Sequence, residues 1–242
     1  MSELVAPPTA EEAWVAAAFG APFLRGDLKP KVVKYSENQP RDERGRFAGG
    51  PGSSLAVGDG QPYGAPFSQD QRSAIWRYTQ YDYGVNGWLR GHTFEGGADE
   101  GYPKMAADLA SACRPTEEAL SVVRGVGREA FGVDAVESHD IEVDDRLHSL
   151  IGQTIRDPGF MSCTTNEATY YYDHQEIHLH LTVPEGTPVL LVGDAGASGY
   201  RDEQEHILAP GTGIRIDRVE THMPEGWRET GTTWDVYGAV VR

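Results

Sequence analysis

The chain has only two cysteines in 242 residues, Cys113 and Cys163, far apart and in no metal-ligand spacing. That excludes a disulfide-stapled scaffold and a zinc-ribbon fold. Two free thiols are the expected state, and they do not fix the compartment. No apolar run is long enough to span a bilayer. Basic residues are also scarce, 21 Lys and Arg against 37 Asp and Glu, for a formal net charge of −16. Such a balance opposes unguided binding to nucleic acid or to an anionic membrane surface, while leaving room for a local basic cleft. No Gly-x-Gly-x-x-Gly is present, so no Rossmann nucleotide site is expected. The first ten residues carry Glu3 where a leader peptide wants positive charge, and no apolar stretch follows. The expectation is a protein cytoplasmic in the producing cell, virion-associated, or delivered into a target cell by a route other than a Sec-type leader.

What is present divides into three zones. Residues 1–34 hold one short helix candidate, with Thr9 as N-cap, Glu11 and Glu12 in the first turn, and Gly20 and Pro22 as the stop. Residues 35–63 are rich in Gly, Pro, Ser and charge and read as a linker, because such a stretch buries too little apolar surface to offset its ordering entropy. Residues 64–242 form the folded body. Ser68 is placed to cap a helix with Ile75, Tyr78 and Thr79 on one face, ended by Gly84. A second helix is expected over 101–112, carrying Met105, Leu109 and Ala112. Trp76 and Trp88 read as core residues. From about Leu120 short β-prone runs alternate with turn formers: LSVVRGV, GFMSCTT, EIHLHLTV, PVLLVGD, EHILA, GIRIDRVET and TWDVYGAVVR. Helices first and an all-β half after them predict an α+β fold.

Three short features carry chemistry. Glu203 and Glu205 sit two apart at a strand start, where a period of two would place both carboxylates on one face. Such a pair can stabilise a cation or accept a proton, although taken alone it is more often a solvated acidic face. Arg124 ends an apolar run and is followed by Gly125, an arrangement that can clamp a phosphate with close backbone approach. Phe160, Ser162 and Thr164 alternate along another run, their hydroxyls suited to holding a ligand or a carboxylate, or simply to cross-strand pairing. His178 and His180 share a strand face, but no third metal ligand is visible in the sequence, so a structural or surface role is expected for them. Glu142, Asp144 and Asp145 lack calcium-loop spacing.

The order Arg124-Gly125, then Phe160-x-Ser162-x-Thr164, then Tyr200-x-x-Glu203-x-Glu205 resembles the arginine-specific mono-ADP-ribosyltransferases, the clade named for its Arg, Ser-Thr-Ser and Glu-x-Glu motifs. Tyr78-Thr79, Val85-Asn86 and Leu89-Arg90 are similar to a further helical element of that family, and Glu205 to Thr212 to its usual exit from the catalytic strand. The resemblance spans about 68–242. The middle motif departs from it, reading Ser162-Cys163-Thr164; Cys163 should point into the core.

The resemblance implies an N-terminal helical part followed by two packed, mostly antiparallel sheets around a NAD cleft. It implies transfer of ADP-ribose from NAD to an arginine of a host target protein, with release of nicotinamide, no metal, and a monomeric enzyme. Arg124 would bind the pyrophosphate or the adjoining ribose, and Gly125 the nicotinamide amide. Ser162 would position Glu205, Glu205 would stabilise the oxocarbenium-like transition state, and Glu203 with Tyr200 would engage the acceptor arginine. Residues 165–175, with Tyr170, Tyr171 and Tyr172, fall where the family has a loop over NAD. Lys34 to Phe47 resembles a junction found in phage-encoded structural proteins. A NAD glycohydrolase of the same fold, and a non-catalytic phage structural or interaction module, are the alternatives.

Overall fold

The computed structural model describes residues 55–58, 60–80, 84–92, 99–133, 139–166, 175–196, 204–223 and 231–241. The helix expected within 1–34, most of the 35–63 linker, the tyrosines 170–172, and Tyr200 and Glu203 lie outside the described residues. The end of the linker belongs to the body. Leu55 packs on the helical core, and the Gly58 amide donates to the Ala110 carbonyl at 3.2 Å.

Helix α1, Gln69–Gln80, begins as the sequence predicts. The Ser68 hydroxyl accepts from the Gln71 amide at 3.2 Å, and the Gln71 side-chain oxygen accepts from the Ser68 amide at 2.9 Å. This reciprocal box satisfies two otherwise orphaned donors. Gly84 opens a second helix, α2 (Gly84–Leu89), instead of only ending the first. A Cβ at Gly84 would stand 1.9 Å from the Tyr102 hydroxyl, so a larger residue there would have to displace the Tyr102 side chain. Helix α3, Tyr102–Ala112, buries the expected Met105, Leu109 and Ala112. Trp88 packs on this helical core, but Trp76 is 52% exposed and is not a core residue. Ile75 and Tyr78 already fill the buried stripe of α1, and position 76 falls off it.

Among the described residues nine strands follow: β1 (Arg114–Pro115), β2 (Leu120–Val126), β3 (Thr154–Arg156), β4 (Met161–Thr164), β5 (Ile177–Val183), β6 (Pro188–Leu191), β7 (Glu205–Leu208), β8 (Gly213–His222) and β9 (Thr233–Val241). The fold is α+β, as expected. A further helix, α4 (Asp140–Ser149), interrupts the half expected to be all strand. It buries only Val143 and Leu147, too thin an apolar stripe to stand out in the sequence. Two of its acidic residues, Asp140 and Asp144, are structural. The Asp144 carboxylate accepts from the Trp234 indole at 3.0 Å and from Thr221, and Asp140 accepts from Thr232 at 2.5 Å, fastening α4 to β8 and β9.

Instead of two separate sheets, the strands form one hydrogen-bonded order, β1-β6-β7-β4-β2-β5-β9-β8-β3. All neighbours are antiparallel except β5 and β9. The join between β4 and β2 is a single register pair, Val123 with Thr164. Two cores result. Phe160, Leu190 and Ile207 meet α1, α2 and α3, whereas Met161, Cys163 and Leu208 face β2, β5, β8, β9 and α4. Strands β4 and β7 thus feed both cores with alternate residues. Both thiols are buried and free, and burial pushes each up to about 12.

One ion pair ties the pieces together. Arg90, just after α2, donates from Nε and Nη2 to the two Asp157 oxygens at 2.9 and 2.7 Å. The Gly159 amide caps the same carboxylate at 2.8 Å, and the Asp157 carbonyl accepts from the Gly211 amide at 2.8 Å. Asp157 therefore pins the approach to β4 and the exit of β7 to the helical layer. Burial works to raise its carboxyl pKa, but the Arg90 charge and hydrogen bonds, the Gly159 amide and the Arg124 charge outweigh it and hold it below the usual range. A group so depressed stabilises the fold above the unfolded Asp pKa and loses that contribution as pH falls through the folded one. Asp157→Asn should cost roughly 1–3 kcal/mol, less than a fully buried pair because both side chains keep some solvent contact. Its stability should also fall less steeply than wild type's below the ordinary Asp range. Urea denaturation across acidic pH measures both, and wild-type stability in the variant would refute the pinning role.

Candidate functional site

Strands β4 and β7 pair over four residues, with Ser162 opposite Ile207 and Thr164 opposite Glu205. Paired antiparallel residues share a face. Ser162, Thr164 and Glu205 therefore lie on the side of Phe160 and Ile207, toward the helices. Cys163 lies on the other side, buried, as its place in the motif predicts.

The ladder between β2 and β4 stops at Val123, one residue before Arg124 and two before Gly125. Across this opening Arg124 Nη1 donates to the Ser162 carbonyl at 2.6 Å. The Ser162 hydroxyl bonds to the Glu205 carboxylate and lies 3.3 Å from the Tyr78 hydroxyl. Tyr78 in turn accepts from Asn86 Nδ2 at 3.0 Å. Asn86 is fixed by Phe160, donating to its carbonyl at 3.2 Å and accepting from its amide at 2.8 Å. A chain of polar contacts thus runs from α2 through α1 to the carboxylate. Arg124, Ser162 and Glu205, separated by up to 81 positions in sequence, come together, with Gly125 on the same strand as Arg124.

Burial raises the Glu205 carboxyl above its ordinary range, against the lowering effects of the Ser162 hydrogen bond and the Arg124 charge. Burial likewise raises Tyr78, with the Glu205 charge adding to it. Tyr78 therefore keeps its proton as a neutral hydroxyl and can donate a hydrogen bond to Ser162, leaving the Ser162 O–H for Glu205.

The residue before Glu205 departs from the expected geometry. Strand β7 begins at Glu205, and Gln204 has φ +48°, the one non-glycine with positive φ among the described residues. The same-face reading of Glu203 and Glu205 assumes extended backbone at Gln204, which is left-handed instead; Glu203 itself lies outside the described residues. Gln204 is held on both sides. Its side-chain oxygen accepts from the Thr165 hydroxyl at 2.8 Å, and its carbonyl is 2.8 Å from His206 Nδ1. Thr165 follows β4 directly, so this bond ties the end of β4 to the start of β7. Nothing in the sequence marks either residue: the middle position of Glu-x-Glu has no pattern of its own. Asp157, partner of Arg90, is equally unmarked.

The family model described as "ADP-ribosyltransferase exoenzyme" matches residues 33–233. No curated protein matches the chain in sequence. Among solved structures it is similar to Plx2a, an ADP-ribosyltransferase toxin from Paenibacillus larvae, at 17% identity and TM-score 0.60, over 73% of this chain and 88% of that one. It is similar to the Clostridium limosum C3 exoenzyme at 15% identity and TM-score 0.59, over 73% and 87%. It also resembles BECa, an ADP-ribosylating toxin of a C. perfringens binary enterotoxin solved with NADH, at 21% identity and TM-score 0.61, over 72% of this chain and 44% of that one. At these identities the likeness is one of fold, that of the ADP-ribosyltransferase toxins. With the family match covering most of its length, the chain belongs to the ADP-ribosyltransferase exoenzyme family.

The raised Glu205 has a consequence for stability. A carboxyl whose folded pKa lies above its unfolded one binds more protons in the folded state, so stability falls as pH rises between the two values and stays lower above them. Glu205→Gln should therefore melt above wild type near neutral pH, with the gap closing on acidification. Equal melting temperatures throughout would mean the carboxyl is not desolvated.

Proposed function

We propose that the protein is a mono-ADP-ribosyltransferase that moves ADP-ribose from NAD to arginine side chains of target proteins and releases nicotinamide. The observation that carries this reading is the desolvated Glu205 carboxylate, hydrogen-bonded by Ser162, beside an Arg124 guanidinium anchored on the Ser162 carbonyl. A negative group fixed in a low-dielectric site suits a transition state that develops positive charge on a ribose. A guanidinium at the broken β2–β4 ladder suits a pyrophosphate.

In the proposed reaction the bond between nicotinamide nitrogen and ribose C1′ breaks, and its electron pair leaves with nicotinamide. Glu205 stabilises the oxocarbenium-like character at C1′ and bonds a ribose hydroxyl. An acceptor guanidino nitrogen bonds C1′ and gives up one proton. The assignment of that proton to Glu203, and of acceptor contact to Tyr200, rests on the family resemblance of the Glu-x-Glu motif. Gly125, two residues beyond the last β2–β4 pair, is proposed to meet the nicotinamide amide through its backbone. The toxin-like relatives support a target protein in another cell.

Incubation of the full chain with labelled NAD and a host lysate, followed by peptide mapping, tests the proposal. Label should map to arginine. Glu205→Ala should lose about 10²–10³-fold or more in both transfer and nicotinamide release, the scale for removing a main electrostatic stabiliser. Glu203→Gln should lose transfer and keep nicotinamide release. Transfer that survives this change overturns the acceptor role, and label on another residue type overturns the arginine assignment.

Ser162→Ala removes a bond that lowers the Glu205 pKa. The acid limb of nicotinamide release should therefore move to higher pH. A limb that stays in place would disconnect Ser162 from Glu205.

A further inference from the structure

Away from Glu205, ligand-bearing side chains gather around Asp235 on the face of β5, β9 and β8 opposite the core. The strand period puts them there: Ile177, Leu179, Trp234 and Val236 point inward, and His178, His180, Asp235 and Tyr237 point outward. Asp235 on β9 is in register with His178 on one side and Glu220 on the other. Its Oδ2 lies 2.8 Å from His222 Nε2. Its Oδ1 lies 2.9 Å from His180 Nε2 and 3.4 Å from His178 Nδ1. One ligand atom each from Glu220, His222 and Asp235 lies within 4.8 Å of the others.

We propose that Glu220, His222 and Asp235 form a binding site for one zinc-class divalent cation. One imidazole and two carboxylates are the nitrogen and oxygen donors such an ion prefers. Bonds of about 2.0–2.2 Å require donor atoms roughly 3.3 Å apart in a tetrahedral shell. The contact between His222 and Asp235 has to open by about half an ångström to admit the ion, and the Glu220 oxygen has to close in. All three donors stand on two adjacent antiparallel strands, so the ladder fixes their spacing.

The surroundings support the donors as a metal site requires. His180 and His178 face the Asp235 oxygen turned away from His222. The Tyr237 hydroxyl donates to Glu220 Oε2 at 3.3 Å, and the Tyr237 ring stacks on His180 with centroids 4.6 Å apart. Arg218 also pairs with Glu220, so the ion has to share that carboxylate with a guanidinium. This competition argues for modest affinity. His222 is 54% exposed and gives the ion an approach from solvent, and three protein donors leave a coordination position open.

The test uses the full chain without a polyhistidine tag, stripped by a chelator and titrated with zinc chloride against a chromophoric chelator. Cobalt(II) absorption serves as an independent report on coordination. One equivalent should bind at micromolar concentration. His222→Ala and Asp235→Asn should each weaken binding at least tenfold, and His180→Ala should weaken it about tenfold with the stoichiometry kept. Circular dichroism checks folding, and His222→Ala, at a half-exposed position, decides if Asp235→Asn does not fold. Absence of binding below millimolar zinc, or unchanged binding in His222→Ala, overturns the proposal.

Discussion

The pairing of β4 with β7 is the constraint on which the rest of the structure depends. Four register pairs bring the serine of one strand and the glutamate of the other onto a single face. The hydrophobic effect chooses that face. Phe160 and Ile207 must meet the helices, and Met161, Cys163 and Leu208 must meet the second core, so the residues between them have no freedom to turn over. A register slip of one residue would exchange Ser162 with Cys163 and destroy both cores at once. The polar site thus takes its precision from apolar packing on both sides of the same two strands.

The site sets two guanidinium groups within a strongly acidic chain. With a net charge of −16, the chain as a whole repels anions. Arg90 and Arg124 are cationic islands held in place by groups of the protein itself, Arg90 by the Asp157 carboxylate and Arg124 by the Ser162 carbonyl. The two holds differ in kind. A carboxylate neutralises the charge it anchors, whereas a carbonyl orients a guanidinium and leaves its charge in force. Arg124 is the one placed next to the raised Glu205, with its guanidinium oriented by a carbonyl instead of tied in a bidentate carboxylate pair.

The legible parts of this fold were those where one segment decides its own state. Strand β2 runs over the same LSVVRGV that reads as a strand, and the box at Ser68 is a local chemical signature. The illegible parts depend on partners far away in sequence. Helix α4 buries two side chains and is held by hydrogen bonds from Thr221, Thr232 and Trp234, none of which a local window contains. Trp76 was misplaced because a tryptophan's size says nothing about which side of a helix it occupies. Of the candidate site, Arg124, Ser162 and Glu205 were found from motif order, while Asp157, Thr165 and Gln204 carry no motif and emerge only from contacts. The left-handed Gln204 before β7 is invisible for the same reason: its side chain is held by Thr165, 39 positions away.

The two thiols set a boundary condition of another kind. With each pushed up to about 12 by burial, the thiolate fraction near pH 7 is on the order of 10⁻⁵, and the sulfurs lie out of reach of solvent oxidants. Thiol exchange and oxidation both proceed through an accessible thiolate. In the folded protein these two thiols are therefore poor partners for exchange or oxidation. With both cysteines free and buried, the fold has no bridge to form on leaving a reducing compartment and none to break on entering one.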